Sequence, residues 1–196
     1  MANRTGTYVA FDGLGKTNPS QSDFRYYATI QAWGANKAID FRITNSHEKT
    51  YQVRDTSTPA TLKARIQERL RASRNMLVIL SSDTRKSGSM LSYEIEQAVD
   101  SYDLPLIIAY VGFQVVLQPH LLASYWPNAL SSRIGNAQGN MIHVPFARAP
   151  IMDALPRFTV NGDKPNGGVH GFYNADAHRN WGLLYAHSEE KNYLKS

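Results

Sequence analysis

Glu94 is the residue whose position in this sequence most strongly suggests a chemical role. It lies in the segment SYEIEQAV (residues 92–99), which has the spacing of an amphipathic helix. At about 100° per residue, Leu91, Ile95 and Ala98 define the inward stripe of that helix, and Glu94 falls roughly 70° to 80° from its centre. A carboxylate at the edge of a buried face is costly unless it has a partner or a function. The alternative is an ordinary ion pair with a neighbouring Lys or Arg.

The elements around this helix predict an α/β fold with a doubly wound parallel sheet. Two apolar runs, residues 76–80 (MLVIL) and 106–111 (LIIAYV), have the length and composition of strands buried on both faces. Further strands are predicted at residues 7–11, 38–43 and 141–146, and helices at residues 23–33, 58–73, 89–102, 119–130 and 151–155. Short connections between alternating strands and helices favour helices on both faces of the sheet.

The C-terminal part of the chain has a less regular pattern. Residues 160–174 (VNGDKPNGGVHGFYN) are rich in turn-forming residues and predict a hairpin or a long loop. We therefore expect an α/β domain over residues 1–150 and an elaborated C-terminal extension over residues 151–196, packed on the same domain.

Composition excludes several classes of chemistry. The 196 residues contain no cysteine, so a thiolate nucleophile, a disulfide framework and thiolate metal sites are excluded. The histidines at 170, 178 and 187 are not spaced as a convergent set, and no metal site is predicted. The N-terminal residues lack the apolar run of a signal peptide, and no run approaches the ~20 apolar residues of a membrane span. We therefore expect a cytoplasmic protein without membrane contact.

The predicted helix over residues 58–73 carries much of the net charge of +5. Its basic residues, together with the arginine that follows it, are Lys63, Arg65, Arg69, Arg71 and Arg74. They form no clean stripe with base-stacking aromatic residues, and Gln67 and Glu68 interrupt them. A solvated face or a protein interface is favoured over nucleic-acid binding.

A ligand of an open parallel sheet binds outside the carboxyl ends of the strands. Here those ends include Phe11 and Asp12 after the first predicted strand, and Ser81 and Ser82 after the third. The loop SSDTRKSGS precedes the helix of Glu94, and first-turn amides of a helix attract anionic groups such as phosphate. A solvated connection is an equally good explanation of this loop. Neither a GxGxxG nor a Walker A pattern is present, which argues against a standard dinucleotide fold or P-loop.

The order of these motifs resembles TIR-like domains, in particular the Thoeris ThsB-like branch of bacterial anti-phage systems. The resemblance covers about residues 7–112 and is carried by YVAF (8–11), DFR (23–25), LVILSS (77–82) and YEI (93–95). It implies a flavodoxin-like fold and a catalytic role for Glu94 at the nicotinamide–ribose bond of NAD. It also implies a cyclic ADP-ribose isomer as an immune signal. This sequence has Met90 four residues before the glutamate, where many TIR enzymes carry Trp.

The resemblance also implies a substrate and partners, and it makes several residues near the strand ends candidates for binding that substrate. NAD is expected as the substrate, with no separate cofactor. Partners would be a phage-derived trigger, an effector reached through the nucleotide signal, and further copies of the chain. Phe11 could stack on a ring of NAD, Asp12, Ser81 and Ser82 could contact ribose or phosphate, and Lys16 or Lys86 could neutralise the pyrophosphate. For each of them an equally good alternative is a loop residue that faces water or, for Phe11, a place in the core. Tyr93 completes the set of candidate substrate-binding residues.

Two other functions stay open at this point. The chain could be a non-enzymatic TIR-like module that acts by self-association or by binding a partner, for which Met90 and the basic helix argue. It could also be a nucleotide-binding sensor that holds NAD or a cyclic nucleotide without cleaving it.

Overall fold

The computed structural model describes residues 4–14, 23–34, 43–44 and 58–184. Within these residues the protein contains a six-stranded sheet in which all neighbouring strands are parallel. The strands are β1 (Gly6–Ala10), β2 (Ile43–Thr44), β3 (Ser73–Leu80), β4 (Leu106–Tyr110), β5 (Met141–Pro145) and β6 (Gly171–Phe172). They lie in the order β2-β1-β3-β4-β5-β6. The first five follow the flavodoxin-like order, so the predicted α/β fold is confirmed.

Helices cover both faces of this sheet. The α-helices in the described ranges are α1 (Phe24–Gly34), α2 (Pro59–Ala72), α3 (Met90–Glu96), α4 (Asn128–Gly135), α5 (Arg148–Arg157) and α6 (Ala175–Asn180). A π-helical segment, Gln97–Ser101, continues α3, and 3₁₀ segments occupy Pro119–Tyr125 and Gly168–His170. None of the helices in the described part of the chain is long and apolar enough to span a bilayer.

Two apolar cores lie on opposite faces of the sheet. One core joins Tyr8, Met76 and Ile108 of the strands to apolar residues of α2, α3 and α4. The other joins Val9 and Leu77 to apolar residues of α1 and α5. Glu94 therefore lies on the same side of the sheet as the Tyr8 side chain, because α3 packs on that face.

The strand order places a topological switch point at β1 and β3. The chain leaves β1 towards β2 on one side, and after α2 it returns to β3 on the other side of β1. β1 and β3 are paired in register from Thr7 with Asn75 to Ala10 with Val78. Crevices for ligands form outside the carboxyl ends of strands at such a point. Those ends are followed here by Phe11 and Asp12 on one strand and by Ser81 on the other.

Some predicted elements are confirmed, and others are corrected. The start of α2 is confirmed, because Thr58 Oγ1 accepts a hydrogen bond from the Thr61 amide (3.3 Å) and Pro59 takes the first helical position. The single predicted helix over 119–130 is wrong. It is a 3₁₀ segment and then α4, and Pro127 sits between them at the N-cap of α4. Of the predicted strand over 38–43, only residue 43 belongs to the described chain.

The C-terminal region extends the sheet rather than forming a hairpin. β6 pairs in parallel with β5, from Ile142 with Gly171 to His143 with Phe172. Of the two predicted alternatives for this region, the hairpin is therefore wrong and the long loop, which precedes β6, is found. A Cβ at Gly171 would lie 2.7 Å from the Met141 carbonyl oxygen, so the two strands need glycine for this close approach. The expected domain boundary at residue 150 falls inside α5. Residues 185–196 lie outside the described chain.

A buried hydrogen-bond network joins β4, β5 and the segment that precedes β6. Trp126 Nε1 donates to Tyr110 Oη (2.7 Å), which in turn lies 2.7 Å from His143 Nδ1. His143 Nε2 lies 2.9 Å from the Val169 carbonyl oxygen just before β6. This arrangement fits a neutral histidine that carries its proton on Nε2. Burial lowers the pKa of His143 to about 4, so the neutral form prevails at neutral pH.

Candidate functional site

Glu94 and Tyr8 form the centre of the candidate site. Glu94 lies in the second turn of α3 and is 4% exposed, so it is buried rather than at the boundary that its helical angle indicated. The Tyr8 hydroxyl donates a hydrogen bond of 2.6 Å to Glu94 Oε1. Tyr8 is buried in β1, between the pairing partners Thr44 of β2 and Met76 of β3. The carboxyl group is thus held beneath the switch point by a rigid strand.

The surroundings of Glu94 make it an unusual acid. Burial raises its pKa to about 8, although the hydrogen bond from Tyr8 and the positive charge of Arg69 on α2 act in the opposite direction. The negative charge of Asp12 raises it further. Burial and the neighbouring Glu94 also hold the pKa of Tyr8 well above its usual range. A buried side chain whose pKa is strongly shifted by its surroundings is a candidate for catalysis.

Asp12 and Arg85 form an ion pair across the ends of β1 and β3. Arg85 binds the Asp12 carboxylate through Nε (2.9 Å) and Nη2 (2.7 Å), and its backbone amide also donates to Asp12 Oδ2 (2.9 Å). The Leu14 amide donates to Asp12 Oδ1 (2.9 Å). Burial raises the pKa of Asp12, but these hydrogen bonds and the Arg85 charge outweigh it, and the pKa lies below its usual range. Asp12 is therefore an ionised carboxylate with a structural partner.

The loop after β3 is folded on itself by short-range hydrogen bonds. The Ser81 amide donates to Thr84 Oγ1 (2.9 Å), and the Asp83 amide donates to Ser81 Oγ (3.2 Å). Thr84 Oγ1 donates in turn to Asp23 Oδ2 (3.4 Å) at the start of α1. Ser81 is buried in this turn, whereas Ser82 is exposed. Of these two predicted substrate-binding residues, only Ser82 presents its side chain to solvent.

Asp23 adds a second perturbed acid near the strand ends. It is buried, and one carboxylate oxygen, Oδ1, has no hydrogen-bond partner. Burial raises its pKa to about 6, the negative charges of Asp12 and Asp83 add to the rise, and hydrogen bonds from Ser81 and Thr84 oppose it. Asp12 and Asp23 are thus both connected to the loop after β3, through Arg85 and Thr84.

Phe11 packs into the core on the other face of the sheet from Glu94. Its ring centroid lies 6.1 Å from that of Phe24 and 5.6 Å from that of Tyr27. Phe11 belongs to the core under α1, whereas Tyr8 belongs to the core under α2 and α3. The structure therefore places Phe11 at the same strand end as Asp12 but does not bring its ring to Glu94.

Lys86 and Tyr93 contact neighbouring elements. Lys86 Nζ donates to the carbonyl oxygens of Ser124 and Trp126, the latter at 3.0 Å, and burial lowers its pKa. Tyr93 Oη accepts a hydrogen bond from Gln67 Nε2 of α2 (2.9 Å), and Lys63 Nζ lies 4.9 Å from the centre of its ring. Lys16 lies outside the described residues. Of the two described cations Arg85 and Lys86, it is Arg85 that binds Asp12 at the end of β1.

Sequence reasoning did not identify Tyr8, Arg85 or Asp23 as site residues. Tyr8 is separated from Glu94 by 86 positions, so only the strand register and the packing of α3 bring the pair together. Asp12 and Arg85 are 73 positions apart. A signal for this second pair was present, because Asp12 follows one strand of the sheet and Arg85 lies in the loop after its neighbour. Among the described residues, His, Asp and Glu form no group of three that could bind a metal ion.

Comparison with known protein families identifies the chain. A family model described as "Thoeris protein ThsB, TIR-like domain" matches residues 8–114. This span exceeds half of the 196 residues and contains residues 8–10 of β1, the ion pair of Asp12 with Arg85, and the helix of Glu94. The fold, with its parallel sheet in flavodoxin-like order, agrees with that match. The chain therefore belongs to the family of the Thoeris protein ThsB TIR-like domain.

Proposed function

We propose that this protein cleaves the nicotinamide–ribose bond of NAD, with Glu94 as the essential carboxylate, and that it acts in anti-phage defence by producing a nucleotide signal. The observation that carries the proposal is the buried Glu94 carboxyl group, held by Tyr8 beneath the topological switch point of the sheet. The family match supports the defence context.

A single carboxylate suffices for this reaction. Hydrolysis of an ordinary glycoside uses two acids, because the leaving oxygen must be protonated. The nicotinamide of NAD is already cationic and departs with the electron pair of the C–N bond as a neutral molecule. No general acid is required. What remains is to orient the ribose and to stabilise the oxocarbenium-like charge that develops at its anomeric carbon, and an ionised Glu94 can do both.

Burial of Glu94 makes its charge effective at the reacting carbon. A carboxylate in a low-dielectric site interacts more strongly with a developing cation than the same group in water. Its pKa of about 8 leaves roughly one molecule in ten ionised at pH 7 before substrate binds. The positively charged nicotinamide ring would favour the ionised form on binding, because an opposite charge within a few ångströms lowers the pKa of a carboxyl group.

The product depends on what attacks the anomeric carbon. Attack by water yields ADP-ribose, nicotinamide and a proton. Attack by an adenine nitrogen or a ribose hydroxyl of the same molecule yields a cyclic ADP-ribose isomer, nicotinamide and a proton, which the attacking hydroxyl or the alkylated adenine releases. A site that excludes water favours the second outcome. The burial of Glu94 and Tyr8 supports a cyclic product.

Arg85 is the candidate contact for the pyrophosphate. Its guanidinium group binds Asp12 through Nε and Nη2, and its side chain is 42% exposed. Asp12 fixes its orientation at the strand ends, and arginine suits phosphate recognition because its donors form a planar fork. Asp12 would contribute by orienting Arg85. The exposed Ser82 hydroxyl, in the same loop, would be a second candidate contact for ribose or phosphate.

The test is to incubate the full chain with NAD, with and without extract of phage-infected cells, and to quantify nicotinamide and the nucleotide products by mass spectrometry. Wild-type protein should release nicotinamide in at least one state, and Glu94→Gln should lose at least about 100-fold in rate. Glu96→Gln is the matched control, because Glu96 lies on the same helix with a 45% exposed side chain. NAD that is bound but recovered intact would indicate a sensor. Biological activity that survives Glu94→Gln would indicate an interaction module.

A further inference from the structure

Tyr8 is the group whose hydroxyl contacts the Glu94 carboxyl group. The hydrogen bond is short, at 2.6 Å, and both residues are buried. Tyr8 extends from the strand next to the switch point, and its backbone is fixed on both sides by parallel pairing with β2 and β3. A side chain anchored in this way has little freedom, so it can hold the carboxyl group of α3 in one orientation.

The hydrogen bond also acts on the charge of Glu94. A donor to a carboxylate favours the ionised form, and in a buried site this effect is not diluted by water. The other charged groups that act on Glu94 from the described elements are Arg69 of α2, which favours ionisation, and Asp12 after β1, which opposes it. Loss of the Tyr8 hydroxyl alone, as in Tyr8→Phe, deletes the hydrogen bond to Glu94 and leaves the ring in the core.

We propose that Tyr8 is a positioning residue for Glu94: its hydroxyl orients the buried carboxyl group and stabilises the ionised form that the reaction requires. The role in the reaction rests on the proposed function, whereas the coupling of the two side chains does not. Tyr8 acts through Glu94, so its removal should change the proton affinity of that residue as well as the rate.

The first experiment measures the proton affinity of Glu94 directly. The chain contains six glutamates, so selective labelling with ¹³C at the carboxyl carbon gives few resonances, and the Glu94 signal is assigned by its loss in Glu94→Gln. Titration up to about pH 10, where exposed tyrosines begin to ionise, should give a midpoint for Glu94 near 8 in wild type. In Tyr8→Phe the midpoint should move upward by about one pH unit, which stays within the range of the titration.

Tyr110→Phe is the matched control for loss of a buried tyrosine hydroxyl. The Tyr110 hydroxyl contacts Trp126 and His143. This control is expected to destabilise the fold at least as much as Tyr8→Phe and to leave the Glu94 midpoint where it is in wild type. A general loosening of the structure would move the midpoint in both variants.

The second experiment follows NAD cleavage in the activated state as a function of pH. In Tyr8→Phe the acid limb of kcat/KM, which reports the free enzyme, should shift in the alkaline direction by the same amount as the midpoint, and in Tyr110→Phe it should stay in place. A Glu94 midpoint that is identical in wild type and Tyr8→Phe would overturn the inference. If wild type never cleaves NAD, the proposed function fails, but the titration still decides the coupling of Tyr8 with Glu94.

Discussion

At the scale of the residue, Glu94 combines burial with a short hydrogen bond from Tyr8. Tyr8 supplies one donor, and Arg69 adds a favourable charge, but neither offsets the cost of removing the carboxylate from water. The acid is therefore mostly neutral in the free protein at neutral pH. The neutral form avoids the cost of burying a charge. A cationic substrate would then favour ionisation of Glu94 when it binds.

The buried acid predicts a specific dependence of stability on pH. The pKa of Glu94 is about 8 in the folded protein against 4.5 for an ordinary glutamate, so the folded state retains a proton that the unfolded state releases between these values. The stabilising contribution is complete below pH 4.5 and is lost as the pH rises through 8. Glu94→Gln should match wild type near pH 5 and be more stable by about 2–5 kcal/mol near pH 9. Urea unfolding at the two pH values measures the difference.

Glu96→Gln serves as the control, because the Glu96 side chain is exposed and its carboxylate does not lose its contact with water on folding. An unchanged gap between wild type and Glu94→Gln at pH 5 and pH 9 would show that Glu94 is not a buried neutral acid.

At the scale of the element, the loop between β3 and α3 is tied to β1 by Arg85. Its guanidinium and amide groups together donate several hydrogen bonds to the buried Asp12 carboxylate. The turn of Ser81 and Thr84 closes the same loop. This loop leads into the helix of Glu94, so its attachment to β1 fixes where that helix begins.

Removal of Arg85 should therefore loosen the loop and destabilise the fold. Arg85→Gln leaves Asp12 buried with fewer donors, and we expect a loss of about 1–3 kcal/mol, because the partly exposed arginine is partly screened by water. Urea unfolding measures the loss, and hydrogen exchange of the Thr84 and Arg85 amides should become faster. Arg71→Gln, an exposed arginine of α2, is the surface control. Equal stability of the two variants would contradict a structural ion pair.

At the scale of the whole molecule, a C-terminal strand extends the sheet, and a buried histidine connects neighbouring strands by hydrogen bonds. His143 of β5 connects Tyr110 of β4 with the Val169 carbonyl that precedes β6. The network joins β4 and β5 to the segment that precedes β6, in the half of the sheet that ends at β6. It links the C-terminal region to the part of the fold that carries Glu94.

This network predicts loss of stability in acid. Burial lowers the pKa of His143 from 6.5 to about 4, so between these values the unfolded state takes up a proton that the folded state does not. The stabilising contribution is present above pH 6.5 and is lost as the pH falls through 4. His143→Gln should be less stable than wild type at pH 7, and the gap should narrow by about 2–4 kcal/mol towards pH 4. A gap that is constant over this range would contradict a neutral buried histidine.

The sequence was informative where local pattern decides structure. The apolar runs of β3 and β4, the Thr58–Pro59 helix start and the inward stripe of α3 follow from short-range periodicity, and the structure has each of them. β6 was not predicted, because two residues carry no periodic signal and their strand exists only through pairing with β5. The partners of Glu94 and Asp12 were missed for a related reason, since strand register brings residues far apart in the chain into contact.

The pH dependence of kcat/KM for NAD tests the central claim most directly. Because kcat/KM reports the ionisation of the free enzyme, in the activated state it should rise about tenfold per pH unit and level off above about pH 8, following Glu94. Glu96→Gln should trace the same curve, and Glu94→Gln should lie at least about 100-fold below it. A Glu94→Gln variant that cleaves NAD at the wild-type rate would contradict the assignment of Glu94 as the essential carboxylate.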